Sequence, residues 1–138
     1  MESTSPTLPA ELSPILARSH IAETPMHWIG GGQVSPPYQG LLVHDHDMTS
    51  ALEEFHAEPI SLEVLQSEQD GELYLREVVL HAATSGKPVE YGVIEILLDS
   101  FPEDLRPLIL DGHLPLGQIL NESGLPYRSE PQGFFSVP

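Results

Sequence analysis

The sequence predicts one α+β domain, an antiparallel sheet with helices packed on one side. Three observations carry this expectation. Ile60, Leu62 and Val64 alternate with Ser61, Glu63 and Leu65 at the period of a strand. Glu72–His81 and Pro88–Asp99 are rich in Val, Ile, Leu and Tyr and flank a short Ser85-Gly86 turn, which is the pattern of a long hairpin. The remaining apolar positions fall at helical spacing before and after these strands, so strands and helices are grouped in the chain and do not alternate.

In chain order, Pro6, Pro9, Pro14, Pro25, Pro36 and Pro37 are six of the 14 prolines and all lie in residues 1–37, which read as an N-terminal arm. Leu12, Ile15, Leu16 and Ser19 predict a short helix over 10–22, with Pro14 confined to its first turn. Gly30-Gly31-Gly32 reads as a flexible link, and residues 1–9 as dispensable. The domain proper spans 38–138. Met48, Ala51, Leu52 and Phe55 predict an amphipathic helix over Asp47–Ala57, with Ser50 and Glu53 as its capping box. A strand over Pro59–Gln66, a turn at Asp70-Gly71 and the hairpin follow. Ser100 or Phe101 near the cap, Pro102 at the first helical position and two acids behind it start the next helix, which Gly112 ends. Pro115–Ser123 gives another short helix, capped by Gly124. Tyr127–Val137 reads as a last strand, interrupted by Pro131 and Gly133.

The chain has 138 residues, 40% of them hydrophobic, which suits one domain with one core. Its 5 Lys and Arg against 21 Asp and Glu give a net charge of −16. So few cations cannot form a phosphate-neutralising stripe, which argues against nucleic acid and, for the same reason, against an anionic membrane. With no cysteine, disulfides, thiolate chemistry and Cys-based metal sites are excluded. The opening residues show no signal-peptide pattern and no stretch long enough to span a bilayer, so the expectation is a cytoplasmic protein.

Arg76 is the outstanding side chain. It sits mid-strand in Leu73-Tyr74-Leu75-Arg76-Glu77-Val78-Val79-Leu80, sharing a face with Tyr74, Val78 and Leu80. A guanidinium in an apolar wall needs an anion. That anion is either a carboxylate of the chain or a ligand carboxylate, which Arg grips through two parallel hydrogen bonds. If Ala82 faces Lys87 across the hairpin, Arg76 lies opposite Val93 and Tyr74 opposite Glu95, so Arg76 and Glu95 become diagonal neighbours. Glu95 is then a structural partner or a general acid or base with a burial-raised pKa. A one-residue change of register would separate them. Tyr74 and Tyr91 join Arg76 as candidate substrate contacts. His44-Asp45-His46-Asp47 supplies two histidines on one face but no clear third ligand, so no metal site is expected.

Four segments, in order and at matching spacing over Leu41–Leu120, together resemble chorismate lyase and its superfamily, which includes effector-binding domains of bacterial transcription regulators. They are Asp47-Met48-Thr49, Leu75-Arg76-Glu77-Val78-Val79-Leu80, Gly86-Lys87-Pro88 and Leu114-Pro115-Leu116-Gly117-Gln118-Ile119-Leu120. The resemblance implies an antiparallel sheet, helices on one side and a buried ligand cavity. It also implies that Arg76 holds a ligand carboxylate, aided by Met48 and Leu116. The family enzyme eliminates pyruvate from chorismate to leave 4-hydroxybenzoate, without metal or organic cofactor, so none is expected here.

The chain departs from the family pattern at two places. Val93 and Ile94 stand where the family has a second arginine and its polar neighbour. The final hairpin that carries the family's active-site Glu has no counterpart, and Glu95 and Glu130 are the candidate substitutes. The expected function is a cofactor-free, lyase-like enzyme acting on a carboxylate-bearing or enolic small molecule, by pyruvate elimination or a related cyclisation or isomerisation in secondary metabolism. The alternatives are a non-catalytic small-molecule-binding module and an inactive relative serving a protein partner. The shortened end, with Phe134 and Phe135 beside it, leads to the further expectation of a homodimer covering an exposed sheet edge.

Overall fold

The computed structural model describes residues 17, 27–44 and 47–136. The expected helix over 10–22, Ala17 apart, and the dispensable residues 1–9 lie outside the described residues.

The centre is a three-stranded antiparallel meander in the order β2-β3-β4. Its strands are β2 (Ile60–Asp70), β3 (Leu73–Ala82) and β4 (Pro88–Leu97). Gly71, with φ of 59°, makes the tight turn between the first two, where L side chains rarely fit. Ala82 N–H donates to the Lys87 carbonyl at 2.8 Å, so the second hairpin closes as its sequence predicts. The loop beyond is tied down by Glu58, whose Oε1 accepts from the Thr84 and Ser85 N–H groups at 3.1 and 2.8 Å.

Helix packing follows from which strand residues face which way. On one side of the sheet Tyr74 and Ile96 pack with Leu105, Ile109 and Ile119, and Ile60 and Leu80 pack with Leu52. The helices that supply these partners are α2 (Met48–His56), α3 (Arg106–Asp111) and α4 (Leu116–Ser123). A one-turn helix, α1 (Tyr38–Leu42), places Leu41 against the second cluster. The other side is apolar at its centre too, where Leu75 packs with Leu73 and Val93. Residues Tyr74 to Val78 of β3 are consequently buried without a break.

Two helix starts differ from expectation. Asp47 caps α2, accepting from Ser50 N–H at 2.8 Å, so the cap sits one turn before the expected Ser50 and Glu53 box. A 3-10 turn (Leu98–Ser100) and an open turn precede α3, which begins at Arg106 with Pro107 in its first turn, not at Pro102. Leu105 and Ile109 are buried, and Leu108 is exposed.

The last strand is short, β5 (Phe134–Ser136), because Pro131 and Gly133 withhold the segment before it from regular pairing. It pairs antiparallel with β1 (His27–Ile29), part of the expected arm, and does not join the central sheet. Trp28 meets Phe135 edge to face at 5.4 Å between ring centroids. Within the expected link Gly30-Gly31-Gly32, the chain forms a 3-10 turn over Gly31–Gln33, with Gln33 N–H on the Gly30 carbonyl at 2.9 Å. One edge of the strand expected to need a second copy is thus paired within the chain, while Phe135 stays 39% exposed. Among the described residues no helix is long and apolar enough to cross a membrane.

Candidate functional site

Two helix starts meet over the sheet. At Gly117, near the start of α4, a Cβ would lie 2.5 Å from Asp47 Oδ2 and 2.8 Å from Thr49 Oγ1, so a residue without a side chain lets the two helix ends approach this closely. Between them and the strands lies a cavity of about 420 Å³. Val78, Leu80 and Ile94 line its strand side, Met48, Leu116 and Leu120 its helix side, and Tyr127-Arg128-Ser129 one edge. Tyr127 fixes that edge by donating to Asp47 Oδ1 at 2.8 Å. Burial alone would raise the Asp47 pKa, but hydrogen bonds from Ser50, Tyr127 and Asn121 outweigh it and hold the carboxyl below its ordinary value.

Arg76 also lines the cavity and is only 2% exposed. Its Nη1 donates to the Ile109 carbonyl at 3.3 Å, and its guanidinium carbon lies 5.9 Å from the centre of the Tyr74 ring. Its Nε has no partner among the described residues, and no carboxylate among them forms an ion pair with Arg76. Desolvation lowers its pKa and Tyr74 partly offsets this, yet a guanidinium so far above neutrality stays charged. Met48 and Leu116 share the cavity with it. Tyr74 belongs instead to the helix-packed core beside Arg76.

The expected Arg76–Glu95 neighbourhood does not form. His81 pairs with Pro88, but Leu80 pairs with Glu90, so Val89 is an extra residue in β4 and every later pairing moves by one. Arg76 therefore lies opposite Ile94, and Glu95 lies opposite Leu75 on the other face. The same shift takes Tyr91 away from the cavity: it pairs with Val79 and its hydroxyl donates to Glu77 Oε2. Glu130 is exposed and holds Arg128 Nη2 at 3.1 Å, outside the cavity that Arg128 helps to line.

The bulge brings in an acid that sequence reasoning missed. Glu90 lines the cavity, and its Oε2 is buried with no hydrogen-bond partner among the described residues. Desolvation pushes its pKa up to about 7, so the carboxyl is partly protonated near neutrality. Its Oε1 leans over Gly92, 3.6 Å from where a Cβ would stand. Neither row of β4 is free of acid, Glu90 standing with Gly92, Ile94 and Ile96 and Glu95 with Tyr91 and Val93, so residue type alone does not choose between them.

A larger groove of about 800 Å³ lies between α1 and α2, lined by Pro36, Pro37, Leu41 and Phe55 with Asp47 and Glu54. Among the described residues that line it there is no Lys or Arg, His44 being its one basic side chain, and no unpaired buried polar atom. The smaller cavity is the stronger candidate because its largely apolar lining holds two buried polar atoms without a partner among the described residues, Arg76 Nε and Glu90 Oε2. Asp45 and His46 lie outside the described residues, among which no three His, Asp or Glu side chains gather as a metal site. No family model, curated protein or solved structure matches the chain.

Proposed function

We propose that the protein is a small, cofactor-free, lyase-like enzyme of the cytoplasm that binds a carboxylate-bearing or enolic small molecule between the sheet and helices α2 and α4. The observation that carries this reading is Arg76, a cation 2% exposed in the wall of a cavity, with no carboxylate of the described chain to neutralise it. A buried unpaired charge costs several kcal/mol, on the order of 3–5, which a bound anion offsets. The guanidinium orients the substrate carboxylate, and the apolar walls formed by Met48, Leu116 and Val78 hold the rest of the molecule and exclude water. Similarity of the four motifs to chorismate lyase makes pyruvate elimination the first reaction to test, with cyclisation or isomerisation of a related anion next.

A non-catalytic binding module of the same architecture is the second reading. It is favoured by the position of Glu95 and Glu130, neither of which lines the cavity. Incubation with chorismate, following pyruvate release alongside heat of binding, separates the two. Pyruvate release lost in Arg76→Met supports the enzyme. Binding of chorismate or its analogues without turnover supports the module, and neither binding nor turnover contradicts both.

A further inference from the structure

We propose that Glu90 is the second polar end of the cavity and selects its ligand: an elongated, largely apolar monocarboxylate carrying a hydroxyl or carbonyl oxygen at the end away from its carboxylate. This rests on the reading of Arg76 as the carboxylate grip.

The backbone builds the feature deliberately. Without the extra residue Val89, Leu80 would face Val89 and Glu90 would point to the opposite side of the sheet, beside His81. The bulge instead turns Val89 into the Leu52–Ile60–Leu80 cluster and puts Glu90 in the cavity wall. Bulges that re-aim a side chain concentrate next to binding sites. A carboxyl desolvated in this way is costly unless something hydrogen-bonds it, and its Oε2 has no partner among the described residues.

A structural ion pair would be the ordinary explanation of an acid and a base in one apolar cavity, and the geometry excludes it. Arg76 lies opposite Ile94 and Glu90 opposite Leu80, four residues along the sheet. That separates their backbones by roughly 13 Å at ~3.3 Å per residue. Arg76 is held toward Ile109, and Glu90 Oε1 reaches only as far as Gly92, so the two do not meet. Gly92 has no side chain to fill the strand surface between them. The other titratable groups lining the space are Asp47, Tyr127 and Arg128, none of which hydrogen-bonds Glu90, and Asp47 and Tyr127 already satisfy each other. What remains is a slot with an apolar body, a cation at one end and a hydrogen-bonding carboxyl at the other. From Gly92 to the Arg76 row is on the order of 7 Å, the scale of one ring or a short chain.

The test compares matched acids that differ by one distal oxygen: phenylacetate against 4-hydroxyphenylacetate, and cinnamate against 4-hydroxycinnamate, titrated calorimetrically into the full chain. The wild type should bind the better-fitting hydroxylated acid about tenfold more tightly than its deoxy partner, the worth of one buried hydrogen bond. Glu90→Leu should erase that preference while retaining the deoxy acid, and Glu90→Gln, which keeps shape and hydrogen-bonding capacity, should retain most of it. Equal affinity for both members of each pair in the wild type, or an unchanged preference in Glu90→Leu, overturns the role of Glu90 and leaves the Arg76 site standing. If Glu90→Leu does not fold, loss of preference in Glu90→Ala decides in its place. Binding of none of the four acids overturns the Arg76 grip and this inference together.

Discussion

Arg76 and Glu90 are oppositely charged side chains set in one apolar wall without touching, and each makes a prediction of its own. Arg76→Met replaces a cation by a hydrophobe of similar length, so the wall stays filled and the desolvation cost disappears. The variant should melt at or above the wild-type temperature and lose carboxylate binding by at least about tenfold, as removal of a charged hydrogen bond worth roughly 1.5–3 kcal/mol requires. A variant that unfolds, beside a wild type that binds no anion, would make Arg76 a purely structural group. Glu90 predicts a pH dependence. Its pKa rises from 4.5 to about 7 on folding, so the folded state holds the proton more tightly than the unfolded one. The stability this gives is complete below the unfolded value and is lost as pH rises toward and through the folded value. At roughly 1.4 kcal/mol per unit, the loss is on the order of 3 kcal/mol. Glu90→Gln removes it, so thermal melts should show the variant gaining on the wild type from about pH 5 to about pH 8. Parallel pH profiles would contradict a buried, unpaired Glu90.

At the scale of elements, the contact between α2 and α4 shapes the cavity, and Gly117 sets its closeness. A methyl group there must displace Asp47 Oδ2 or Thr49 Oγ1, at 2.5 and 2.8 Å, both in the cap region of α2. Gly117→Ala should therefore destabilise the protein by roughly 1–3 kcal/mol, the usual cost of overpacking. A urea midpoint equal to that of the wild type would show that the helix ends separate freely. The hairpin loop gives a second case: Glu58→Ala strips the acceptor from the Thr84 and Ser85 N–H groups and should cost about 1–2 kcal/mol in the same assay.

Most of these elements were legible in the sequence because their signals are local. Apolar spacing located α2 and α4, Gly112 and Gly124 marked helix ends, and the Ala82–Lys87 closure was read correctly. The site was legible only in part. Met48, Arg76 and Leu116 do line one cavity. Glu95 and Tyr91 do not, because one extra residue, Val89, inverts the inside and outside of everything after it, and a bulge leaves little trace in composition. Glu90 was missed for the same reason. The pairing of β5 with His27–Ile29 joins segments more than a hundred residues apart, and no local pattern announces such a contact.

For the whole molecule, the β1–β5 ribbon changes what Phe134 and Phe135 do. They were expected to drive association, yet the strand that carries them is paired within the chain and Phe135 packs on Trp28. Replacing both by Ser should lower the melting temperature and leave the mass measured by light scattering unchanged. A fall in mass would restore the dimer contact to this segment. Among the described residues no strand pairs with the outer edge of β2 or of β4. The net charge of −16 opposes broad self-contact and is screened by salt. On the function proposed above, a buried cation is the feature that would attract an anion to a chain of net charge −16. Calorimetric titration of cinnamate into the wild type and Arg76→Met tests this most directly. The account predicts one site per chain in the wild type and none in a variant that melts no lower. Equal binding by both proteins, or a folded wild type that binds no carboxylate while Arg76→Met fails to fold, would contradict it.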